Sequence, residues 1–261
     1  MILKSARAVA AGYTERAAFV LAEPPPPTPL LLPPLLAACR HVAEVPSGAG
    51  HYLAAYARAG THVTLVDGNE AMLRAAAQRA ASAGLPPRHL RLRHELVEKL
   101  RRLEGIDGLV VPNAAVNQLA CQSGLADILA TLRSLLPAGA PILLQALCLR
   151  PGAPADTCGF YDPVLPDGRW HADRLLDPAT GARWRRRRQQ HSADGRTVAI
   201  DFAYRNALGQ LLHSSTVQLR LFAVATLATA LRTAGFRIRR TLPGAGQRST
   251  EIFAIATGGT P

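Results

Sequence analysis

The residues in this chain best suited to chemistry form a turn of small side chains followed, one strand later, by an acid. The turn is Pro46-Ser47-Gly48-Ala49-Gly50, and Asp67 comes about 20 residues after it. Small residues let the backbone approach a ligand closely, and a carboxylate at the end of the next strand can accept two hydrogen bonds from a ribose diol. The pattern predicts a site for a ribose-containing cofactor.

The flanking residues predict the elements that position this turn. Residues 41–45 are a short apolar run typical of a strand, residues 52–58 favour a helix, and residues 61–66 form a β-branched second strand that ends at Asp67. This order is a βαβ unit, in which ligands lie outside the carboxyl ends of the strands.

The turn also indicates which cofactor is bound. A dinucleotide site needs G-x-G-x-x-G, but the corresponding residues are Pro46, Gly48 and His51, so the third glycine is missing. The pattern Glu44-x-Pro46-x-Gly48-x-Gly50 resembles motif I (E/D-x-G-x-G-x-G) of the class I S-adenosylmethionine-dependent methyltransferases, with proline at the first glycine position. Residues 67–73, Asp-Gly-Asn-Glu-Ala-Met-Leu, resemble the stretch that follows motif I. The alternative is a plain structural turn in an alanine-rich chain.

Two later segments carry the same resemblance. Residues 106–113 resemble motif IV of the family, and residues 112–119, Pro-Asn-Ala-Ala-Val-Asn-Gln-Leu, are similar to the loop x-N-S-L-N-H-L of its small-molecule members. The strands predicted at 236–242 and 250–257 resemble the hairpin that ends the family's sheet. The chain is thus similar to the small-molecule type, natural-product or glycine N-methyltransferase-like.

This resemblance implies an α/β, Rossmann-like class I methyltransferase fold. We expect a seven-stranded, mostly parallel sheet with an antiparallel last strand, plus an inserted antiparallel β lid. Period-2 stretches at 183–190, 197–205 and 210–221, separated by turn residues, predict the strands of that insertion. The predicted domains are a helical and proline-rich cap (1–35), a cofactor-binding core (36–150 and 218–261) and the inserted substrate-binding region (151–217).

The resemblance implies S-adenosyl-L-methionine as cofactor and S-adenosyl-L-homocysteine as product. Glu95 fits, one place off the usual spacing, the acid that reaches the adenine amino group, with a surface glutamate as the alternative. The residues expected to bind the cofactor lie in these motifs: Glu44, Pro46, Ser47, Gly48, Gly50, His51, Asp67, Gly68, Met72, Glu95, Leu96, Pro112, Asn113 and Asn117.

Candidate catalytic residues come from two regions. In the family a tyrosine of the amino-terminal helix often reaches the active site, and here Tyr13, in a helix predicted at 13–23, is the candidate. A hydroxyl or carbon acceptor would need a base, and Tyr161, His171, His191 and His213 of the insertion are the candidates. For each of them a surface or structural role is the alternative.

An arginine run suggests how the acceptor binds. If Trp184-Arg185-Arg186-Arg187-Arg188 is a strand, Trp184 and Arg186 share one face. That face would supply an apolar wall and a guanidinium fork for an anionic acceptor. The alternative is a solvated edge strand. The expected substrate-binding residues are Arg150, Trp184, Arg186, Arg220 and Phe222.

Composition leaves a second class of function open. The net charge of +12 in 261 residues is consistent with a basic RNA-binding protein or an RNA methyltransferase. Against this class, aromatic residues are only 5% of the chain and residues 112–115 lack the N/D-P-P-Y/F/W signature of base methylation. The basic residues are nearly all arginine, a bias typical of GC-rich coding.

The remaining expectations concern location and partners. The cysteines form no C-x-x-C and have no metal-ligand spacing, so we expect no metal. No signal peptide or membrane span is visible in the sequence, and we expect a cytoplasmic location. We predict a monomer or homodimer that methylates a small-molecule acceptor of specialised metabolism, possibly an antibiotic precursor, with no nucleic-acid or membrane partner.

Overall fold

The computed structural model describes residues 6–23, 26–149, 161, 165–175, 181–243 and 249–258. Its helices are α1 (Ala6–Ala11), α2 (Tyr13–Ala22), α3 (Leu32–Ala38), α4 (Leu53–Ala59), α5 (Glu70–Ser82), α6 (Ala115–Leu119), α7 (Leu125–Ser134) and α8 (Val224–Thr233). Its strands are β1 (His41–Glu44), β2 (His62–Asp67), β3 (Leu90–His94), β4 (Gly108–Val111), β5 (Pro141–Leu149), β6 (His171–Leu175), β7 (Trp184–His191), β8 (Thr197–Arg205), β9 (Leu211–Arg220), β10 (Phe222–Ala223), β11 (Phe236–Pro243) and β12 (Ser249–Ala256).

The main sheet has the predicted mixed topology. Its strand order is β11-β12-β5-β4-β1-β2-β3, and β1 to β5 run parallel. Strand β12 is antiparallel to both β5 and β11, which confirms the Rossmann-like fold with an antiparallel last strand. Strand β10, a two-residue addition that the sequence pattern did not predict, pairs in parallel with the end of β5.

The central strands are buried on both faces because helices cover both sides of the sheet. In β4, Leu109 and Val111 belong to the apolar cluster that also includes α7 and α8, whereas Val110 belongs to the cluster that includes α3, α4 and α5. Successive residues of a strand point to opposite faces. A continuous apolar run is therefore what this position in the sheet requires.

Local signals mark the end of α4 and the start of α5, the two helices on either side of β2. Asn69 caps α5, since its Oδ1 accepts a hydrogen bond from the backbone N–H of Met72 at 3.0 Å. Helix α4 ends at Gly60, whose φ of 66° lies in the left-handed region that glycine adopts without strain. These two ends set the start and direction of the elements on either side of β2.

A second, antiparallel sheet packs beside the main one. Its order is β6-β7-β8-β9, and the three predicted strands of the insertion correspond to β7, β8 and β9. One face of this sheet is apolar, with Ile200, Phe202 and Tyr204 of β8 buried beside Val217 and Leu219 of β9. The pairing of β7 with β8 decides which face of β7 packs against this cluster, because residues directly opposite each other on neighbouring strands share a face.

The amino-terminal helices pack against the turn over residues 46–50, which we call the cofactor turn, and against α5. The predicted helix at 13–23 is α2, and α1 precedes it. Arg79 of α5 donates from Nη2 to the carbonyl oxygens of Val20 (2.6 Å) and Glu23 (3.0 Å), which attaches the end of α2 to the main sheet's helical layer. Ala17 packs with Met72 and Ala75 in a small apolar cluster.

Candidate active site

A cavity of about 490 Å³ opens at the carboxyl ends of β1, β2 and β4. This is the edge at which parallel α/β sheets bind ligands. We call it the first cavity. Of the residues predicted to act on the cofactor or the acceptor, those that line it are Tyr13, Pro46, Gly48, His51, Asp67, Gly68, Met72, Leu96, Pro112 and Asn113.

The turn after β1 and the acid after β2 are hydrogen-bonded to each other. The backbone N–H of Gly48 donates to Oδ2 of Asp67 at 2.8 Å, and the N–H of Asn69 donates to Oδ1 at 2.9 Å. Gly48 has a φ of 52°, which glycine adopts without strain. Burial raises the pKa of Asp67, although the two N–H groups act in the opposite direction. The carboxylate therefore lies directly beside the turn, on the wall of the cavity.

Glu44 holds the far end of the turn from beneath. It is fully buried, and its Oε1 accepts from the backbone N–H of His51 at 2.9 Å while its Oε2 accepts from the Tyr56 hydroxyl at 2.6 Å. The Nδ1 atom of His51 lies 3.2 Å from Oε1 of Glu44. Glu44 thus positions His51, which lines the cavity, but it is not itself among the cavity's lining residues.

The segment after β4 combines a strained turn with a short helix. Asn113 and Ala114 have φ values of 45° and 58°, a conformation uncommon for residues other than glycine. The N–H of Asn113 is held by Oε1 of Gln145 at 3.0 Å, and the same oxygen accepts from the Tyr52 hydroxyl. The predicted loop over 112–119 is therefore only partly a loop, since α6 begins at Ala115.

Asn117 has a structural position rather than one on the cavity. It is fully buried, donates from Nδ2 to the carbonyl oxygens of Leu147 (2.8 Å) and Arg220 (2.7 Å), and accepts from the N–H of Leu147. Its side chain joins α6 to β5 and β9. Arg220 contributes only its carbonyl oxygen to this contact, and its side chain does not line the cavity.

Glu95, the acid predicted to reach the adenine, lies outside the first cavity. Glu95 accepts from Nε of Arg93 at 2.6 Å and does not line the cavity, whereas Leu96, Val97 and Glu98 do. The ion pair between Arg93 and Glu95 turns this carboxylate away. Glu98 was not predicted from the sequence, and its place three residues further on is set by the 3-10 turn Val97–Lys99.

Helix α2 forms one wall of the cavity. The Tyr13 hydroxyl hydrogen-bonds to Oε1 of Gln118 in α6 at 3.1 Å. Arg16, one turn later, places its guanidinium carbon 4.8 Å from the centre of the Phe202 ring in β8. Nδ2 of Asn69 donates to the Ala10 carbonyl oxygen at 2.6 Å, so the helix that the residue caps is linked to the covering segment.

The second sheet supplies the opposite wall. The face of β7 that lines the cavity is the one with Arg185, whereas the face with Trp184 and Arg186 was expected. Arg185 lines the cavity, and Trp184 and Arg186 do not. In the pairing of β7 with β8, Arg185 lies opposite Tyr204 on the apolar face, which buries it. The alternation of side chains along β7 was predicted from the sequence, but which of its two faces is buried follows from its pairing with β8.

Arg185 is held in place by a buried ion pair. Its Nη1 lies 2.7 Å from Oε2 of Glu23 at the end of α2, and the Tyr204 hydroxyl donates to Oε1 of Glu23 at 2.6 Å. The Arg185 guanidinium carbon also lies 4.8 Å from the Phe202 ring centre. Arg187 is buried as well, so the arginine run is not a continuous exposed basic surface.

The remaining predicted residues lie elsewhere. The Tyr161 hydroxyl is 2.9 Å from Nε2 of His191, and His171 pairs with β7 on the outer strand β6, both away from the first cavity. Phe222 is buried in the core beside β5. His213 lines a neighbouring cavity described below. Arg150 lies outside the described residues.

Several residues that line the cavity were not singled out from the sequence, and four of them belong to α2, α6 and the second sheet. They lie on four different elements: Arg16, Gln118, Arg185 and Phe202. Arg185 lay within a singled-out strand, but nothing in its local pattern distinguished its face. Gln118 lay within the segment 112–119 that resembles the family's loop but was not singled out there. Arg16 and Phe202 have no motif, since an arginine on an amphipathic helix and a phenylalanine in an alternating strand are common.

The arrangement suits a charged nucleoside with an organic acceptor beside it. Backbone of small residues and a buried carboxylate lie at one end, whereas aromatic and guanidinium groups lie at the other. Within the described residues, no three His, Cys, Asp or Glu side chains are grouped so that they could hold a metal ion. None of the described helices is both long and apolar enough to cross a membrane.

Residues 42–139 match a family of methyltransferase domains. No curated protein matches the chain by sequence. The matched segment begins in β1 and ends before β5, so it contains the turn, Asp67 and the segment after β4. These elements form the main-sheet side of the first cavity, so the match covers that side, whereas the walls from α2 and the second sheet lie outside it.

Solved structures with the same fold cover nearly the whole chain. The CcbJ methyltransferase of Streptomyces caelestis has a TM-score of 0.67 at 19% identity, over 95% of this chain and 90% of its own. The sugar N-methyltransferase KedS8 of a Streptoalloteichus species has a TM-score of 0.63 at 17% identity, over 95% and 87%. SAM-bound CalS10 of Micromonospora echinaspora, an amino pentose methyltransferase of calicheamicin biosynthesis, has a TM-score of 0.58 at 19% identity, over 98% of both chains.

At these identities the solved structures establish the fold, and the domain match adds the activity. The sheet order, the antiparallel β12 and the cofactor turn agree with both. The chain therefore contains a methyltransferase domain at residues 42–139 and has the fold of S-adenosylmethionine-dependent methyltransferases.

Proposed function

We propose that the chain transfers the methyl group of S-adenosylmethionine to a small organic acceptor of specialised metabolism. The observation that carries this proposal is the continuity of the first cavity. Gly48 and Asp67 line it on the side of the main sheet, and Phe202 and Leu219 line it on the side of the second sheet. A donor and an acceptor bound at these two ends would meet inside one continuous cavity.

The cofactor would occupy the end formed by the main sheet. The Asp67 carboxylate would accept hydrogen bonds from the ribose hydroxyls, and Met72 and Leu96 would form the apolar walls of the adenine site. The His51 ring and the backbone around Gly48 would contact the amino-acid end. An added Cβ at Gly68 would come within 2.6 Å of Leu96, which supports a requirement for glycine at the edge of this site.

The acceptor would lie between α2 and the second sheet. Phe202, Val217 and Leu219 offer an apolar surface, and Arg16 offers a guanidinium over the Phe202 ring. Arg185 is paired with Glu23 through Nη1. Arg16 also interacts with Glu23 and Tyr204, but its Nε is buried without a hydrogen-bond partner among the described residues, so Arg16 is the better candidate for recognising the acceptor. This combination favours an acceptor with an apolar body and an anionic or hydrogen-bond-accepting group.

Positioning would supply most of the rate acceleration. The cofactor supplies a methyl group already activated on a sulfonium, so the acceptor atom needs alignment for an in-line displacement. The Tyr13 and Gln118 pair and the held backbone of Asn113 line the same cavity. These groups would orient the acceptor atom and exclude water from it.

The similar structures support the choice of acceptor class. KedS8 is described as a sugar N-methyltransferase and CalS10 as an amino pentose methyltransferase of calicheamicin biosynthesis. We therefore infer that this chain, too, acts on a small molecule rather than on a nucleic acid. The burial of Arg185 and Arg187 removes part of the basic surface that an RNA partner would use.

Two measurements test the proposal. Native mass spectrometry of the purified protein should detect bound adenosyl ligand, and incubation with methyl-labelled cofactor and a metabolite extract should label a small molecule. Label recovered only in RNA or protein would overturn the acceptor class.

Replacement of Arg16 tests the acceptor site. Once a labelled acceptor is identified, Arg16→Met should raise its KM about tenfold or more, because one charge-assisted hydrogen bond contributes about 1.5–3 kcal/mol. Affinity for S-adenosylhomocysteine should stay unchanged. Arg186→Met is the matched control, since Arg186 lies outside the cavity. Equal KM values for the two variants would remove Arg16 from the acceptor site.

A further inference from the structure

A second cavity of about 410 Å³ lies on the other side of helix α2 from the cofactor turn. Its walls come from the start of α2, from β9 and from the turn after α6, where Cys121 is located. None of the cofactor-turn residues lines it. The second cavity therefore has no part in holding the cofactor.

The two cavities share a wall made of side chains. Tyr13, Arg16, Gln118 and Gln122 each line both of them. The hydrogen bond between Tyr13 and Gln118 lies within this wall.

One face of β9 runs along both cavities and changes character between them. Val217 and Leu219 line the first cavity, whereas His213 and Ser215 line the second. All four have odd numbers and so share one face of the strand. His213 and Leu219 are six residues apart, about 20 Å along a strand. The same strand thus offers an apolar end beside the reaction site and a polar end beyond it.

The polar end has hydrogen-bonding capacity that the described residues do not use. Nε2 of His213 and Oγ of Ser215 are buried without a hydrogen-bond partner among those residues. The His213 side chain is 8% exposed, its Nδ1 faces Glu15 at 3.6 Å, and its ring stacks on Phe19. Buried polar atoms normally have a partner, so a ligand that supplies one fits this site.

The type of ligand follows from the lining groups. Burial lowers the pKa of His213, which keeps the imidazole neutral near pH 7. The other polar side chains that line it include Ser215 on the same face of β9, Thr14 and Gln118, together with Glu15 and Arg16, whose opposite charges add up to no net charge. Ser214, Thr216 and Gln218 line it from the other face of β9, where the Thr216 hydroxyl already donates to Asp201. Neutral donors and acceptors of this kind recognise hydroxyl groups rather than a net charge.

We propose that the second cavity binds an uncharged, hydroxyl-bearing part of the acceptor, saccharide-like in its chemistry. The methylated end of the same molecule occupies the first cavity. The inference rests on the proposed function, since it extends the acceptor site of that reaction. The acceptor is then an elongated molecule with two parts, and β9 contacts both.

The test uses D-glucose as a hydroxyl probe and inorganic phosphate as an anionic one, each with the protein saturated with S-adenosylhomocysteine. Ligand-observed NMR and a crystal structure with glucose should place the sugar in the second cavity, hydrogen-bonded to His213 and Ser215. In the double variant His213→Leu/Ser215→Ala, the Kd for glucose should rise about tenfold. The matched double variant His62→Leu/Ser134→Ala changes the same residue types away from both cavities and should bind glucose normally.

Several results would overturn the proposal. They are phosphate rather than glucose in the cavity, water only, glucose seen at crystal concentration but not by NMR, or equal affinity in both double variants. The readout is separate from methylation. Failure of S-adenosylhomocysteine to bind in calorimetry would instead count against the proposed function, whatever the result with glucose.

Discussion

The Asp67 carboxylate offers the most direct test of the cofactor site. In the proposed complex it accepts two hydrogen bonds from the ribose diol. Hydrogen bonds to a charged group contribute about 1.5–3 kcal/mol each. Removal of both in Asp67→Ala should cost about 3–6 kcal/mol, and about 1.4 kcal/mol corresponds to a tenfold change. The Kd for S-adenosylhomocysteine, measured by calorimetry, should therefore rise about 100- to 20,000-fold.

A milder change should give an intermediate result. In Asp67→Asn the side chain keeps one carbonyl oxygen that can accept a ribose hydroxyl, but it loses the charge. We expect the loss of about one charge-assisted hydrogen bond, or about ten- to 150-fold in Kd. The order native, Asp67→Asn, Asp67→Ala is expected because the carboxylate contacts the ligand directly.

The same carboxylate also stabilises the protein, so a control is needed. Asp67 accepts from the N–H groups of Gly48 and Asn69, and Asp107 in a similar way accepts from the N–H groups of Arg40 and His41, both at 2.9 Å. Asp107 does not line the first cavity. Asp107→Ala should lower the melting temperature as Asp67→Ala does, yet bind S-adenosylhomocysteine with native affinity.

Two outcomes would refute this reasoning. If Asp67→Ala binds the ligand as tightly as the native protein does, the carboxylate does not hold the ribose. If both alanine variants lose affinity equally, the effect of Asp67 comes from the stability of the fold. Circular dichroism at the temperature of the calorimetry would confirm that each variant is folded.

Two further predictions concern buried groups. Gln145→Met should lower the free energy of unfolding by about 2–6 kcal/mol in urea titrations, because the Tyr52 hydroxyl and the Asn113 N–H both lose their acceptor; a loss below about 0.5 kcal/mol would contradict this. Burial raises the pKa of Cys39 to about 12 and of Cys121 to about 11, so both should resist iodoacetamide at pH 8 until the protein unfolds. Peptide mass spectrometry measures the modification, and rapid labelling of either thiol in the native protein would contradict the prediction.

The meeting of the turn and Asp67 on the main-sheet side of the first cavity was predictable because the signals are local. A turn that approaches a ligand needs small residues, and these must be consecutive in sequence, as they are in the segment from Pro46 to Gly50. The acid follows at the end of the next strand, so Asp67 can be located by counting. The exception is Glu95, whose pairing with Arg93 leaves Glu98 on the cavity instead.

The walls of the first cavity from α2 and the second sheet were less predictable because they are assembled from distant segments of the chain. Arg16 and Phe202 are 186 positions apart in sequence, yet the guanidinium lies over the ring. Asn117 resembled a ligand-binding residue of a loop, but its amide is used to join β5 and β9. The pattern of neighbouring residues in the sequence does not predict contacts between such distant segments.

The sequence by itself determined the order of most helices and strands, though not α1, α6, β6 or β10, together with the turn over residues 46–50 and the alternation of side chains along β7. These depend on hydrophobic periodicity and on turn residues within a few positions of one another. Only the tertiary structure decided that Arg185 rather than Arg186 lines the first cavity and that Arg16 faces Phe202. It also decided that β9 continues into a second cavity. The reason is that burial of a strand's face is set by its partner strands and by the helix packed on them, which lie far away along the chain.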